Sequence, residues 1–189
     1  MEGRITFLQG RGLYHNGIAF GGTKGYIYPQ DPFFKEEEDR HIYERELMRT
    51  KAALDAMETS IIESGNEPSQ VTRILLLHYP PTLENHANGF TDLLEQYQVD
   101  HCVFGHLHDK ASFQKVPSHW GHTQLHLVSA DAANFMMKEI PWAVSTKNTY
   151  KQGTSLVTLI TQNTYTYQLE KLAPATLDAS LNKGLQKKT

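Results

Sequence analysis

Apolar residues recur along this chain in two rhythms, and the changes between them mark its elements. Ile5-Thr6-Phe7-Leu8 and Gly17-Ile18-Ala19-Phe20 read as short strands, joined by turn material containing Gly10, Gly12 and Asn16. Gly21-Gly22-Thr23-Lys24-Gly25 reads as a turn that breaks the pattern, and Tyr26 to Phe34 as an aromatic loop punctuated by proline. From Lys35 to Glu63 the rhythm lengthens. Tyr43, Leu47, Thr50, Leu54, Met57 and Ile61 recur at steps of four and three, the stripe along one face of a long helix. Asp31 or Asp39 suits its start, and Gly65-Asn66 with Pro68 beyond suits its stop.

The next unit is tighter. Arg73–Leu77 predicts a buried strand, Phe90–Tyr97 a short amphipathic helix and Val99–Phe104 a second strand. Strand, helix and strand with short links predict a parallel pair with a right-handed crossover. A polar loop with His119, Trp120 and His122 precedes another strand, Leu125–Val128, which ends on Ser129-Ala130-Asp131. Beyond Pro141 the character changes. Thr154–Leu169, rich in Thr, Tyr and Val with a break at Gln162-Asn163, suits a hairpin, and the lysine-bearing end suits a frayed tail. The expected organisation is an α/β domain over residues 1–140, then a β-rich extension and flexible tail over 141–189.

Composition narrows the function classes. A net charge of −3 offers no electrostatic case for binding nucleic acid or an anionic membrane. No apolar run approaches the length of a membrane span, and the N-terminus lacks the pattern of a signal peptide. Cys102 is the only cysteine, which rules out an intrachain disulfide and points to a reducing, cytoplasmic setting. Inside a strand it reads as packing rather than as a nucleophile.

Chemistry enters through histidine. Ile74-Leu75-Leu76-Leu77 runs into His78-Tyr79-Pro80-Pro81, and Cys102-Val103-Phe104 runs into Gly105-His106-Leu107-His108. With ten histidines, chance supplies about one half of a His-x-His pair, and about 0.04 once glycine must precede it. Strand ends in open α/β sheets are where ligands collect, and His78, His106 and His108 all fall there. Neutral imidazole suits borderline divalent ions, and Gly105 allows a sharp turn before the pair. Other features read more simply. Gly21–Gly25 lacks the spacing of a phosphate loop. His119, His122 and His126 read as solvated loop residues before an accessory zinc site, His86 and His101 as surface or helix-end residues, and Asn85 as loop polarity.

The two histidine strings, Leu75-Leu76-Leu77-His78-Tyr79-Pro80-Pro81 and Val103-Phe104-Gly105-His106-Leu107-His108, resemble the C-terminal half of calcineurin-like metallophosphoesterases. The upstream run Asn16–Gly25, followed by Tyr43–Arg45 in the helix, resembles a bacterial phosphohydrolase branch of that family. The resemblance spans about Ile5 to Asp131. It implies the C-terminal portion of a four-layer αββα sandwich with mixed β-sheets. It also implies hydrolysis of a phosphate ester at two divalent ions (Mn, Fe, Zn or Ni), without a protein nucleophile. By position, His78 and His106 would bind one metal and His108 the other. The family's Asp-x-His, Gly-Asp-x-x-Asp and Gly-Asn-His are expected to be absent from the chain, so no catalytic residue is expected beyond the ligands. The isolated chain is therefore expected to hold metal partially and to be inactive. Two alternatives stand beside this reading: a non-catalytic remnant, and a mononuclear zinc-binding module using His78, His106 and His108.

Overall fold

The long apolar stripe forms a single helix that lies across the start of a sheet. A computed structural model describes residues 6–141. In chain order these hold β1 (Arg11–His15), β2 (Ile18–Thr23), α1 (Glu36–Glu63), β3 (Thr72–Leu77), α2 (Gly89–Gln96), β4 (His101–Phe104), α3 (Lys110–Phe113), β5 (His119–Trp120) and β6 (Thr123–Leu127). A 3-10 turn at Pro68–Gln70 precedes β3. The extension and tail expected over 141–189 lie, Pro141 aside, outside the described residues, as does Ile5. None of the described helices is long and apolar enough to cross a membrane.

The six strands form one mixed sheet in the order β1-β2-β3-β4-β6-β5. β2, β3, β4 and β6 run parallel, while β1 and β5 pair antiparallel at the two edges. The architecture is α/β. Side chains alternate across the sheet as the pleat requires. Ala19, Leu75, Leu77, Cys102 and Phe104 pack against Leu54, Met57 and Ile61 of α1 and Leu93 and Leu94 of α2. Ile18, Phe20, Ile74, Leu76 and Val103 form the opposite face, with Leu8, Val128 and Ile140 against it.

Two turn expectations are corrected. Gly12 belongs to β1 and Gly21-Gly22-Thr23 to β2, where Gly12 and Gly21 are register partners. The reason is close approach rather than turning. A Cβ on Gly12 would stand 2.1 Å from the Met57 amide nitrogen, and one on Gly21 would stand 3.2 Å from the Ala53 carbonyl oxygen. Helix α1 thus rests on a strip of bare backbone, which only glycine provides. The expected strand at Ile5–Leu8 is likewise absent over the described Thr6–Leu8, where only an isolated bridge follows, Gln9 to Gly22.

Helices α1 and α2 begin on recognisable signals. At α1 the Asp39 carboxylate accepts the Lys35 amide at 2.8 Å, and with Glu36, Glu37 and Glu38 it places four acidic residues in the first turn, which complement the helix dipole. At α2 Asn88 and Thr91 form a reciprocal capping box. The connection leading into α2 is pinned by tyrosines. The Leu83 amide donates to the Tyr28 hydroxyl at 2.7 Å, and the Gly89 amide to the Tyr43 hydroxyl at 2.8 Å.

Candidate functional site

The carboxyl ends of β2, β3 and β4 are stitched together by backbone hydrogen bonds. The amides of His78 and Tyr79 both donate to the Lys24 carbonyl at 3.0 Å, and the Gly105 amide donates to the His78 carbonyl at 3.2 Å. The two histidine-bearing strand ends are therefore held side by side by main chain, independent of any ligand.

Above that platform two imidazoles meet. His106 Nδ1 lies 3.1 Å from His78 Nε2, so one ring donates its N–H to the lone pair of the other. The Tyr79 ring stacks at a tilt on His106, with centroids 4.0 Å apart. Burial pulls both histidines below the ordinary imidazole range, and the nearby charges of Lys24 and His108 push the same way. His106 falls to about 4. Burial thus favours the neutral form of both rings, the form that binds a metal.

The turn that aims His106 is not the one expected. Gly105 has no positive φ; His106 itself does, at +69°. The Leu107 amide donates to the Gly105 carbonyl at 2.9 Å, closing a three-residue γ-turn on His106. This turn is rare and strained for a residue with a side chain. The strain sits on the residue the chemistry would use.

His108 goes elsewhere. Its Nδ1 lies 2.6 Å from Asp131 Oδ2, beyond the end of β6, and both side chains are exposed. Among the described residues, no three His, Cys, Asp or Glu side chains converge into a set that could hold an ion. The structure thus joins His78 to His106 and keeps His108 on a separate carboxylate. His78 Nε2 and His106 Nδ1 share one hydrogen across 3.1 Å, and no third His, Cys, Asp or Glu donor joins them among the described residues. The donor set of a dinuclear centre is not met among the described residues, because no carboxylate joins that pair.

The remaining histidines divide. His119 and His122 are exposed, as solvated residues should be, although His119 lies in β5 rather than in a loop. His101 and His126 are not surface residues. They are 6% and 8% exposed, on adjacent strands, with His101 Nδ1 3.0 Å from His126 Nε2. Register explains it: His126 pairs with Val103 and His101 with Ile74, so both rings share the second face of the sheet. Cys102 is fully buried and its thiol is pushed up by burial, which fits packing. Asn85 is exposed.

Two features escaped the reading of the sequence. Asp131 appeared only as the end of a strand. The expected absence of an Asp-x-His string is corrected: Asp39-Arg40-His41 is one, but it lies in the first turns of α1. There Asp39 accepts the Tyr26 hydroxyl and the Lys35 amide, each at 2.8 Å, and His41 is exposed. It stands in a helix, with its aspartate already engaged.

No family model, no curated protein and no solved structure matches this chain.

Proposed function

We propose that this chain is the metal-binding C-terminal portion of a calcineurin-like phosphoesterase, a class that hydrolyses phosphate esters. The observation that carries the reading is the His78–His106 contact at 3.1 Å, built across adjacent parallel strand ends with His106 in a strained turn. Neutral imidazoles, a ligand-collecting edge and stored backbone strain all support a functional site there. The apolar second face of the sheet supports the further proposal that it belongs to a layered sandwich. The lone buried cysteine fits a reducing, cytoplasmic setting.

In this reading His78 and His106 hold one divalent ion, and His108 serves a second. Such ions, when bound, polarise the phosphoryl group and activate water. The protein's own part is to keep the paired rings neutral and fixed by the Lys24, His78 and Gly105 backbone bonds. Because no carboxylate joins the pair among the described residues, the purified chain is expected to bind metal without robust turnover.

A second reading, a mononuclear zinc-binding module, is favoured by the same pairing, since two of the three histidines converge and His108 stands apart. Metal content separates the outcomes. After loading with Zn²⁺ or Mn²⁺ and desalting, the wild-type chain should retain ion that His106→Ala and His78→Ala lose. Equal retention by the variants would overturn both readings. Strong metal-dependent hydrolysis of p-nitrophenyl phosphate esters by the wild type would overturn the expected inactivity and the mononuclear module, leaving the phosphoesterase.

A further inference from the structure

Lys24 and Gly25 follow β2 at the carboxyl edge of the sheet, beside the histidine-bearing end of β3. The Lys24 carbonyl accepts the amides of His78 and Tyr79, which ties this turn to the platform. The partly buried Lys24 side chain stands over two aromatic rings. Its Nζ lies 5.5 Å from the Tyr79 centroid and 5.7 Å from that of Tyr26. Those rings are 5.6 Å apart, and Tyr79 also stacks on His106. After burial, the charge of Lys24 is among the causes that lower both His78 and His106. No carboxylate pairs with Lys24 among the described residues. Asp39 accepts the Tyr26 hydroxyl instead, and Asp131 is held by His108. The next residue is also short of a partner. Gly25 is buried with φ at 66°, yet its amide donates to no acceptor among the described residues. Buried backbone N–H groups are almost always paired. A cation without a counter-ion and a backbone donor without an acceptor, on adjacent residues at a ligand-collecting edge, both call for an anionic oxygen.

We infer that Lys24 and the Gly25 amide form an anion subsite that takes the non-bridging oxygens of a phosphoryl group beside the His78–His106 pair. That the group arrives as an ester rests on the function proposed above; the anion chemistry does not. The lysine supplies charge and the amide supplies a fixed direction, and hydrogen bonds to a charged oxygen are the strong ones. Lysine is a point charge rather than a planar fork, so it reads the oxyanion and leaves the rest of the ester unread. No bond forms or breaks at Lys24 in this role. Its two tyrosine neighbours keep the ammonium at the edge of the site without neutralising it.

The test titrates the full chain, labelled with ¹⁵N and free of added metal, with inorganic phosphate at pH 7.5. Amide ¹H–¹⁵N spectra are compared with a sodium chloride titration at matched ionic strength. Phosphate should move the Gly25 amide downfield to saturation. Lys24→Met keeps the stem beside the tyrosines without the charge, and should weaken phosphate binding by about 10- to 100-fold. Lys24→Arg should keep most of the affinity. A Gly25 amide unmoved by phosphate, or equal affinity in Lys24→Met, would overturn the subsite. Shifts that chloride reproduces would mark an adventitious ion only and overturn it as well. The Gly25 shift needs no variant, so it decides the matter even where Lys24→Met folds poorly. Phenyl phosphate distinguishes the source of the phosphoryl group: it should displace inorganic phosphate, and failure to do so would overturn the ester step. Ion retention is read separately. A chain that binds phosphate through Lys24 but retains no Zn²⁺ or Mn²⁺ would keep the subsite and overturn the proposed function. A chain that retains the ion without Lys24-dependent phosphate binding would do the reverse.

Discussion

Replacing Gly12 with alanine should be among the most damaging single-methyl additions in this protein. The new Cβ would stand 2.1 Å from the Met57 nitrogen, 2.4 Å from its Cα and 2.6 Å from the Ala56 carbonyl carbon. All three are backbone atoms of α1, so no side-chain rotation relieves the clash. Ordinary contact begins near 3.4 Å, and α1 must retreat by about 1.3 Å from β1 to reach it. A gap of that size forfeits a quarter to a half or more of each dispersion contact across the interface. The residues that would lose them, Ala53, Leu54, Met57 and Ile61, are all 0% exposed. The expected loss is about 3 kcal/mol or more, against a total of roughly 5–15 kcal/mol for a domain. Urea denaturation followed by far-ultraviolet circular dichroism measures it. Gly21→Ala is the control on the same interface, because its nearest atom is 3.2 Å away and a few tenths of an ångström suffice. It should cost about 1 kcal/mol. If Gly12→Ala loses less than 1 kcal/mol, or less than Gly21→Ala, the helix does not rest on bare backbone and the account of β1 fails.

Acid should weaken the fold through the buried His101–His126 pair. Burial lowers both histidines, His126 to about 4, while the unfolded chain titrates near 6.5. The unfolded state therefore binds more protons between pH 6.5 and 4, so this stability is complete above about pH 7 and is lost as pH falls through that window. The shift at His126 alone corresponds to at most about 3 kcal/mol, read as urea midpoints at pH 7.5, 5.5 and 4.5. His126→Phe should flatten the profile; an unchanged slope would assign the acid sensitivity to other groups. Asn88→Ala removes the capping box of α2 and the amide that bonds the Pro81 and His86 carbonyls. It should cost about 1–2 kcal/mol in a thermal melt, and a parental midpoint would argue against the cap.

Much of the frame was legible because it is local. The stripe from Tyr43 to Ile61 predicts α1 to within a residue at its start, since helical period and terminal Gly65 lie in adjacent positions. The runs Ile74–Leu77 and Cys102–Phe104 predict strands buried on both faces, and their histidine-bearing ends fall on neighbouring parallel strands. Gly12 and Gly21-Gly22 read as turn residues because glycine has low strand preference in isolation. What overrides that preference is the close approach of Ala53–Met57 in α1, more than thirty residues later in the chain.

The histidines show the same division. By itself the sequence determined that His78, His106 and His108 end two apolar strands, because strand termination is written in consecutive residues. Only the tertiary structure decided which of them meet. His78 and His106 pair because β3 and β4 are adjacent and the turn strain falls on His106 rather than Gly105. His108 is held instead by Asp131, 23 positions away, because β6 lies on the other side of β4. His101 and His126 are buried together because strand register, a relation between distant segments, places them on one face.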